Sequence, residues 1–443
     1  MVRVRYALVL VFLLLFIGVM PFSAYSSRVV QIGAYNTLSV ALMDNGSVWT
    51  WGDSPMGSSV PVMLDVSNVT AVAPGMNFIL FLKNDGTVWA CGDNRCGELG
   101  DGGNTSSYDH AVRVGDLSDV KMIAASGSTG MALKGDGTVW AWGSNNYGEL
   151  GTGGTPGLLS GGSYSFYPVQ VPISDVTSIT AGDGNFFALK SDGTLWGWGS
   201  DDEGSLGVDV SDSGITVWTD ISNNTRAVAA KPIQIPLSGV TAISSNGENT
   251  LVIINGSLWA WGDNTYGQLG TGNTISAGQP VKVKGLTDVT SVIAQTTYSV
   301  ALKSDGTVWA WGQSMAGGGY LGVAGSGGVT TNTPAMVSGI NDVTQLAGGY
   351  AHILALKSDG TVWAWGSNKY NELGNGRAGT GSLTPVQVMI DSQTASGAVV
   401  SVTATAPRIT NGQSNDLNTF SIGVVILFIL AGGFVYAFLL RKK

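Results

Sequence analysis

The stretch Asn255-Gly256-Ser257-Leu258-Trp259-Ala260-Trp261-Gly262 is one copy of a phrase, Asp/Asn-Gly-Thr/Ser-Val/Leu-Trp-x-Trp-Gly, that recurs along the chain. The first tryptophans of its seven copies are Trp49, Trp89, Trp140, Trp196, Trp259, Trp309 and Trp363, spaced by 40, 51, 56, 63, 50 and 54 residues. Thirteen of the fourteen tryptophans sit in this phrase, so they mark an architecture before they mark a site. A period of this length identifies a solenoid, propeller or array more securely than any local reading of helix or strand.

Each copy extends backwards in register. A valine lies twelve residues before a small or apolar residue: Val29 before Ala41, Val69 before Phe81, Val120 before Ala132, Val176 before Ala188, Val240 before Val252, Val289 before Ala301 and Val343 before Ala355. From there to the tryptophan is eight positions, except in the fifth copy, which is one shorter. Such constancy implies hydrogen-bonded strands. A short apolar run, then Asp-Gly or Asn-Gly, then alternating Thr-Val-Trp-Ala-Trp is the signal of two antiparallel strands joined by a tight turn. Glycine takes the positive φ of that turn, and Asp or Asn tolerates the place before it. A second glycine-rich phrase follows, such as Ser144-Asn145-Asn146-Tyr147-Gly148-Glu149-Leu150-Gly151, and then a proline-marked run such as Pro168-Val169-Gln170-Val171 or Pro385-Val386-Gln387-Val388. Three to four short strands per roughly 50 residues suit one propeller blade, and a ring of blades leaves few exposed sheet edges.

The phrase Trp259-Ala260-Trp261-Gly262-Asp263-Asn264-Thr265-Tyr266-Gly267-Gln268-Leu269-Gly270, with its upstream turn, resembles the regulator-of-chromosome-condensation repeat. The resemblance covers residues 28 to 390. It implies an all-β, seven-bladed β-propeller whose ring is closed by pairing material from both chain ends. Here Val29 onward supplies the opening strand, and Pro385 to Ile390 a strand with no later blade to join. The family's founding activity, guanine-nucleotide exchange on a small nuclear GTPase with histone contact, has no interface phrase in this sequence to receive it. A secreted propeller of this type that inhibits β-lactamase makes inhibition of an exported enzyme the alternative expectation.

The chain ends carry their own signals. Arg3 and Arg5 precede an apolar run from Tyr6 to Met20, then Pro21 and small residues through Ser27, the pattern of a signal peptide or signal anchor over residues 1–27. At the other end Phe420 to Leu440 gives 21 residues without a charge before Arg441-Lys442-Lys443. That length and the basic flank predict a transmembrane helix at 420–440 with a cytoplasmic tail at 441–443. Residues 391–419, rich in Ser, Thr and Asn, read as a flexible stalk in which Val399 to Ala406 alternates enough for one further strand. These readings predict a single-pass cell-membrane protein, its propeller (28–390) extracytoplasmic. A net charge of -9, with charged residues at 12%, argues against nucleic acid, whose affinity comes from Lys and Arg contacts to phosphate.

Few residues carry a signal of chemistry. Cys91 and Cys96 stand where the third copy has Trp142 and Tyr147 and the fifth has Trp261 and Tyr266. In an exported protein the paired replacement predicts a disulfide, with a metal site or two free thiols as rivals. His110 is placed in a variable loop and His352 at a repeat position, both structural, with no nucleophile phrase beside them. Asp85, Asp136, Asp192, Asp305 and Asp359 share the turn place before glycine, where a structural role suffices. The cluster Asp201-Asp202-Glu203 lacks the alternating spacing of a calcium loop. Of the glycosylation triplets at Asn45, Asn68, Asn104, Asn223 and Asn255, Asn104 and Asn223 lie in longer loops.

The departures from the period are the functional lead. Extra length gathers at Thr155 to Phe166, Asp209 to Ala229 and Met315 to Thr333, each between the Leu-Gly phrase and the proline-marked run. Insertions at one repeat position emerge on one face of a ring. Tyr164, Phe166, Trp218 and Tyr320 are the candidate contact anchors there. The reading is a non-catalytic, membrane-tethered binding or adhesion propeller, a monomeric ring without cofactor or metal. Its expected partners are a protein or glycan at the cell surface and the membrane through the C-terminal helix.

Overall fold

The computed structural model describes residues 27–53, 58–153, 164–209, 211, 214–219, 225–313, 321–323 and 331–390. Among them the chain forms seven antiparallel sheets in sequence order, six of four strands and one of five. Blade 1 comprises Val29–Tyr35, Leu38–Met43, Val48–Gly52 and Ser58–Met63; blade 7 comprises Val343–Gly348, His352–Lys357, Val362–Gly366 and Ser382–Gln387. The expected seven-bladed all-β propeller is the observed fold.

The repeat chemistry places each strand. Asp85 Oδ1 accepts the Thr87 amide at 3.0 Å and its hydroxyl at 2.6 Å, and the hydroxyl oxygen accepts the Trp89 indole N–H at 3.0 Å. The same relay recurs from Asp136, Asp192, Asp305 and Asp359. These carboxyls, held first by the threonine hydroxyl, lie below the ordinary range. They are turn residues, as expected. The residue before the register valine also takes positive φ: Asn68, Asp119, Asp175, Asp288 and Asp342 lie at +56° to +61°, and Gly239 at +72°. Asn, Asp and Gly are the residue types that tolerate it.

A cavity of about 730 Å³ runs where the first strands of all seven blades converge, lined by Gln31, Val72, Ala124, Ile179, Ser244 and Gln345 among others. The first strand of each blade is therefore innermost. The blades bury their faces against one another around it. The first tryptophans of the phrase are partly exposed apart from Trp49, whereas the second ones, Trp51, Trp142, Trp198, Trp261, Trp311 and Trp365, are fully buried. Four of these form a latch in which the indole N–H donates to a main-chain carbonyl of the preceding blade. Trp142 reaches Glu98 at 2.9 Å, Trp198 reaches Glu149 at 2.8 Å, Trp261 reaches Ser205 at 2.8 Å and Trp311 reaches Gln268 at 2.7 Å.

The ring closes differently from the expectation. Strand Ser382–Gln387 pairs inside blade 7, and Val29–Tyr35 pairs inside blade 1, so no described blade mixes the two chain ends. Closure instead repeats the latch between neighbours: Trp51 Nε1 donates to the Glu372 carbonyl at 2.8 Å. Gln345 adds a two-way staple, accepting from Ile32 N at 3.0 Å and donating to Ile32 O at 3.2 Å. A shared apolar core joins Ile32, Ala41 and Trp51 to Leu354, Ala364 and Leu373.

The disulfide expectation is corrected: Cys91 and Cys96 are free. Cys91 is the blade 2 counterpart of the latching tryptophan, and its side chain enters the apolar core shared with Val40 and Leu42 of blade 1. Blade 1 carries no Leu-Gly phrase after Gly52, the phrase beside which the other blades offer the latching carbonyl. Cys96 sits in the blade 2 loop, where its amide donates to Glu98 Oε2 at 2.7 Å. Burial pushes the Cys91 thiol up to about 12. Alkylation under denaturing, non-reducing conditions is expected to recover both cysteines modified, and native alkylation to spare Cys91. Recovery of a linked 91–96 peptide would contradict this.

The single-pass membrane location is also corrected. No helix among the described residues is long and apolar enough to cross a membrane; Asp202–Gly204 is a single 3-10 turn. A membrane span must satisfy all of its backbone hydrogen bonds internally, which the hydropathy of a run does not by itself establish. The signal segment, the stalk, the strand at Val399 to Ala406 and the run at 420–440 fall outside the described residues.

Candidate functional site

Strand order and antiparallel pairing put two kinds of connection on the same end of every blade: the turn between first and second strands, and the variable segment between third and fourth. The Asp-Gly turns lie at the other end. The ring thus has a loop face and a turn face.

On the loop face of blades 3 to 5 a recess of about 420 Å³ brings together residues of both connections, among them Tyr147, Glu149, Asp183, Asp202, Glu203 and Glu248. Five carboxylates meet one guanidinium there, and Arg226 Nη1 donates to Asp202 Oδ2 at 2.7 Å. Burial pushes Glu149 up to about 7, and raises Asp183 and Glu248 in the same direction. Tyr35 reaches this region from blade 1 and lies beside Ser126, Gly127 and Asp183; burial first, and then the Asp183 charge, raise its pKa. Exposed tyrosines, Tyr266, Tyr350 and Tyr370, stand on the same face. A concave, acidic surface with aromatic neighbours favours cationic groups over phosphate.

Glu149 accepts the Tyr147 amide at 2.6 Å, the role that Gln268 performs for Tyr266 at 2.9 Å in blade 5. An acid whose folded-state pKa lies above its unfolded value favours folding while protonated. That contribution is complete below about 4.5 and is lost as pH rises through about 7. Glu149→Gln is therefore expected to remove this slope and to raise stability at pH 8 by about 3 kcal/mol at most, read from denaturant unfolding at pH 5 and pH 8. An unchanged pH slope would contradict it.

The sequence-derived candidates are scattered. Tyr164 and Phe166 belong to the fourth strand of blade 3, Tyr164–Gln170, rather than to a loop, with ring centroids 5.0 Å apart. A side chain added at Gly97 of blade 2 would meet Phe166 at 2.9 Å, so Phe166 covers the neighbouring blade. Trp218 lies in an additional strand, Ile215–Thr219, at the outer edge of blade 4. Tyr320 is outside the described residues. Of the recess carboxylates the sequence singles out only Asp202 and Glu203, in a cluster that lacks the spacing of a calcium loop. His110 stands on the fourth strand of blade 2, Ser107–Arg113, against Asp109 at 2.6 Å, not in a loop. His352 is sealed between blades 7 and 1, its Nε2 2.9 Å from Ser39 Oγ, and burial lowers it to about 3, so the ring is neutral.

A ring of Trp-latched blades with one elaborated face defines a repeat propeller of a particular kind. Models of the Regulator of chromosome condensation (RCC1) repeat match residues 136–189, 255–302 and 359–406 in one form, and 69–98, 120–149, 176–205 and 343–372 in a second. Together they span a little over half of the chain, and the protein belongs to this family. Human E3 ubiquitin-protein ligase HERC2 is 28% identical over 330 residues, 71% of this chain but 6% of the length of HERC2. The Ultraviolet-B receptor UVR8 of Arabidopsis thaliana is 25% identical over 378 residues, 79% of this chain and 80% of UVR8. In fold the chain is similar to Prp20p from Saccharomyces cerevisiae, with TM-score 0.65, 18% identity and coverage of 83% and 89%. It is also similar to human WBSCR16, with TM-score 0.63, 22% identity and coverage of 75% and 85%.

Proposed function

We propose that this protein is a non-catalytic binding propeller that recognises a protein partner on its loop face. The observation that carries the reading is the coincidence, on one end of the ring, of the overlong connections, the acidic recess and exposed tyrosines. Proteins supply the Lys and Arg groups that such a recess complements, which a neutral glycan does not, and the same field disfavours nucleic acid. Tyrosine is a preferred interface anchor because it combines apolar area with a polar tip. Prp20p, a propeller of the same fold, has binding properties to Gsp1p and histones, a precedent for the fold as a protein-binding scaffold.

Tyr164 and Phe166, with the added strand that carries Trp218, form the outer part of the proposed surface. The test is chemical cross-linking in cells that natively make the protein, with wild type beside a Phe166→Ala, Trp218→Ala variant whose melting is unchanged. Loss of the wild-type adducts supports the assignment. Identical adducts from both proteins would remove these two residues from the interface.

A further inference from the structure

Outer strands of a propeller are exposed sheet edges, and in this ring nearly all are guarded in the same way. The fourth strands of blades 1, 3, 4, 5, 6 and 7 contain Pro61, Pro168, Pro232, Pro280, Pro334 and Pro385. Blade 2 has no proline there but places Asp109, His110 and Arg113 in its fourth strand. Proline and charge are two of the devices that stop an edge from pairing with another chain. Blade 4 departs from this rule. Its insertion folds back as Ile215–Thr219 and pairs with the long fourth strand, Thr225–Ile235, becoming the fifth and outermost strand. Its sequence, Ile-Thr-Val-Trp-Thr, has no proline and no charge, and every residue in it favours β structure. Among the described residues no further strand covers it.

The hydrogen-bond phase of this strand follows from its neighbour. Ala227 points its amide to Asp202 Oδ1 at 3.3 Å and its carbonyl to Asp201 N at 2.7 Å, both away from the added strand. Ala227 faces Val217, so the two form a non-hydrogen-bonded pair, and Thr216 and Trp218 make the ladder to Val228 and Arg226. The N–H and C=O of Val217 therefore point outward from the free edge, and Val217 is 52% exposed.

We infer that the Ile215–Thr219 edge is a β-augmentation site that takes an extended, uncharged β-forming segment of a partner protein flanked by Lys or Arg. The basic flanks follow from charge complementarity: exposed Glu203 and Asp209 lead into the insertion, and its Arg226 is engaged by Asp202. A second copy of the chain is the poorer occupant. Each copy carries a net charge of -9, so two copies meeting edge to edge repel, whereas a segment flanked by Lys or Arg is attracted. In strand addition main-chain hydrogen bonds supply the affinity and alternate side chains the specificity. The inference rests on the loop-face reading above and deepens it by naming the form of the partner segment.

The test uses the full chain and a synthetic peptide, Lys-Arg-Thr-Val-Thr-Val-Thr-Lys-amide carrying an N-terminal fluorophore, with binding read by fluorescence anisotropy and by amide exchange. Saturable binding with Kd below about 1 mM is expected, with the Val217 amide fast-exchanging in the free protein and slowed by peptide. Val217→Pro removes the outward donor and spares the internal ladder, so it is expected to weaken binding at least roughly tenfold with unchanged melting. Replacing the basic residues of the peptide by Glu is expected to weaken binding as well. No saturable binding to wild type, or equal binding to V217P, would overturn the inference. So would a Val217 amide that stays fast with peptide bound, a readout that needs no variant to fold. Failure here with loop-face cross-links intact removes the edge-strand inference alone; loss of those cross-links removes the reading beneath it.

Discussion

Trp261→Ala is expected to lower the unfolding free energy by about 3–5 kcal/mol. The side chain is fully buried, and its indole N–H donates to the Ser205 carbonyl of blade 4. It also fills the space above Gly207, where an added Cβ would lie 2.8 Å from the ring. Truncation thus leaves a cavity between two blades and removes one hydrogen bond across them. Because a repeat ring is stabilised by interfaces between neighbours, the damage is concentrated at one junction. Trp261→Phe separates the two losses. The Ser205 carbonyl retains the Thr250 hydroxyl at 2.8 Å, so Phe is expected to cost markedly less than Ala. Guanidinium unfolding of the three proteins checks this, and equal costs for Phe and Ala would contradict the packing argument.

Gly312→Ala is expected to cost about 3 kcal/mol or more. Gly312 has φ +94°, and a Cβ there would stand 2.4 Å from the Thr297 carbonyl oxygen and 2.6 Å from the Tyr298 Cα. Both obstacles are backbone atoms where the adjacent strand begins, so no flexible side chain can give way. The control is Gly256→Ala in an Asn-Gly turn, with φ +73° and no atom within 4 Å of the added Cβ. It bears only the left-handed backbone penalty, about 1–2 kcal/mol. Thermal unfolding of the pair measures the difference. Equal destabilisation would show that the close approach of the two strands is not what fixes glycine after the second tryptophan.

Much of the scaffold was legible because its determinants are side-chain types at fixed spacing. The Asp-Gly turns, the tryptophan strand and the proline-marked outer strand each need a particular residue, and the period exposes them. The latch between blades was not legible for the opposite reason. Its acceptor is a main-chain carbonyl, so the position holds Glu98, Glu149, Ser205, Gln268 or Glu372 without effect on the bond. Without sight of that acceptor, Cys91 reads as half of a disulfide rather than as the filler of a junction whose partner loop is short. Ring closure was not legible because the Gln345 staple to Ile32 recurs only as Gln31 to Val72, between blades 1 and 2, and the matching places in the other blades hold Ala71, Met122, Ser178, Ala242 and Ser291.

The candidate site was harder still. Its carboxylates come from two different connections of three blades, so no local phrase joins Glu149 to Asp183 or Glu248. The added strand of blade 4 is hidden inside an insertion that opens with Asp209, Val210, Ser211 and Asp212, a composition that reads as loop. Insertion points, by contrast, did mark one end of the ring, because strand parity alone decides where they emerge.

The most direct test of the central claim compares the two faces of the ring in cells that natively make the protein. A photo-cross-linking amino acid is placed at Tyr266 or Tyr370 on the loop face, and at Ser191 or Ser358 on the turn face, all exposed positions. Discrete protein adducts from Tyr266 or Tyr370, and none from Ser191 or Ser358, are the expected result. Adducts confined to the turn face would contradict it.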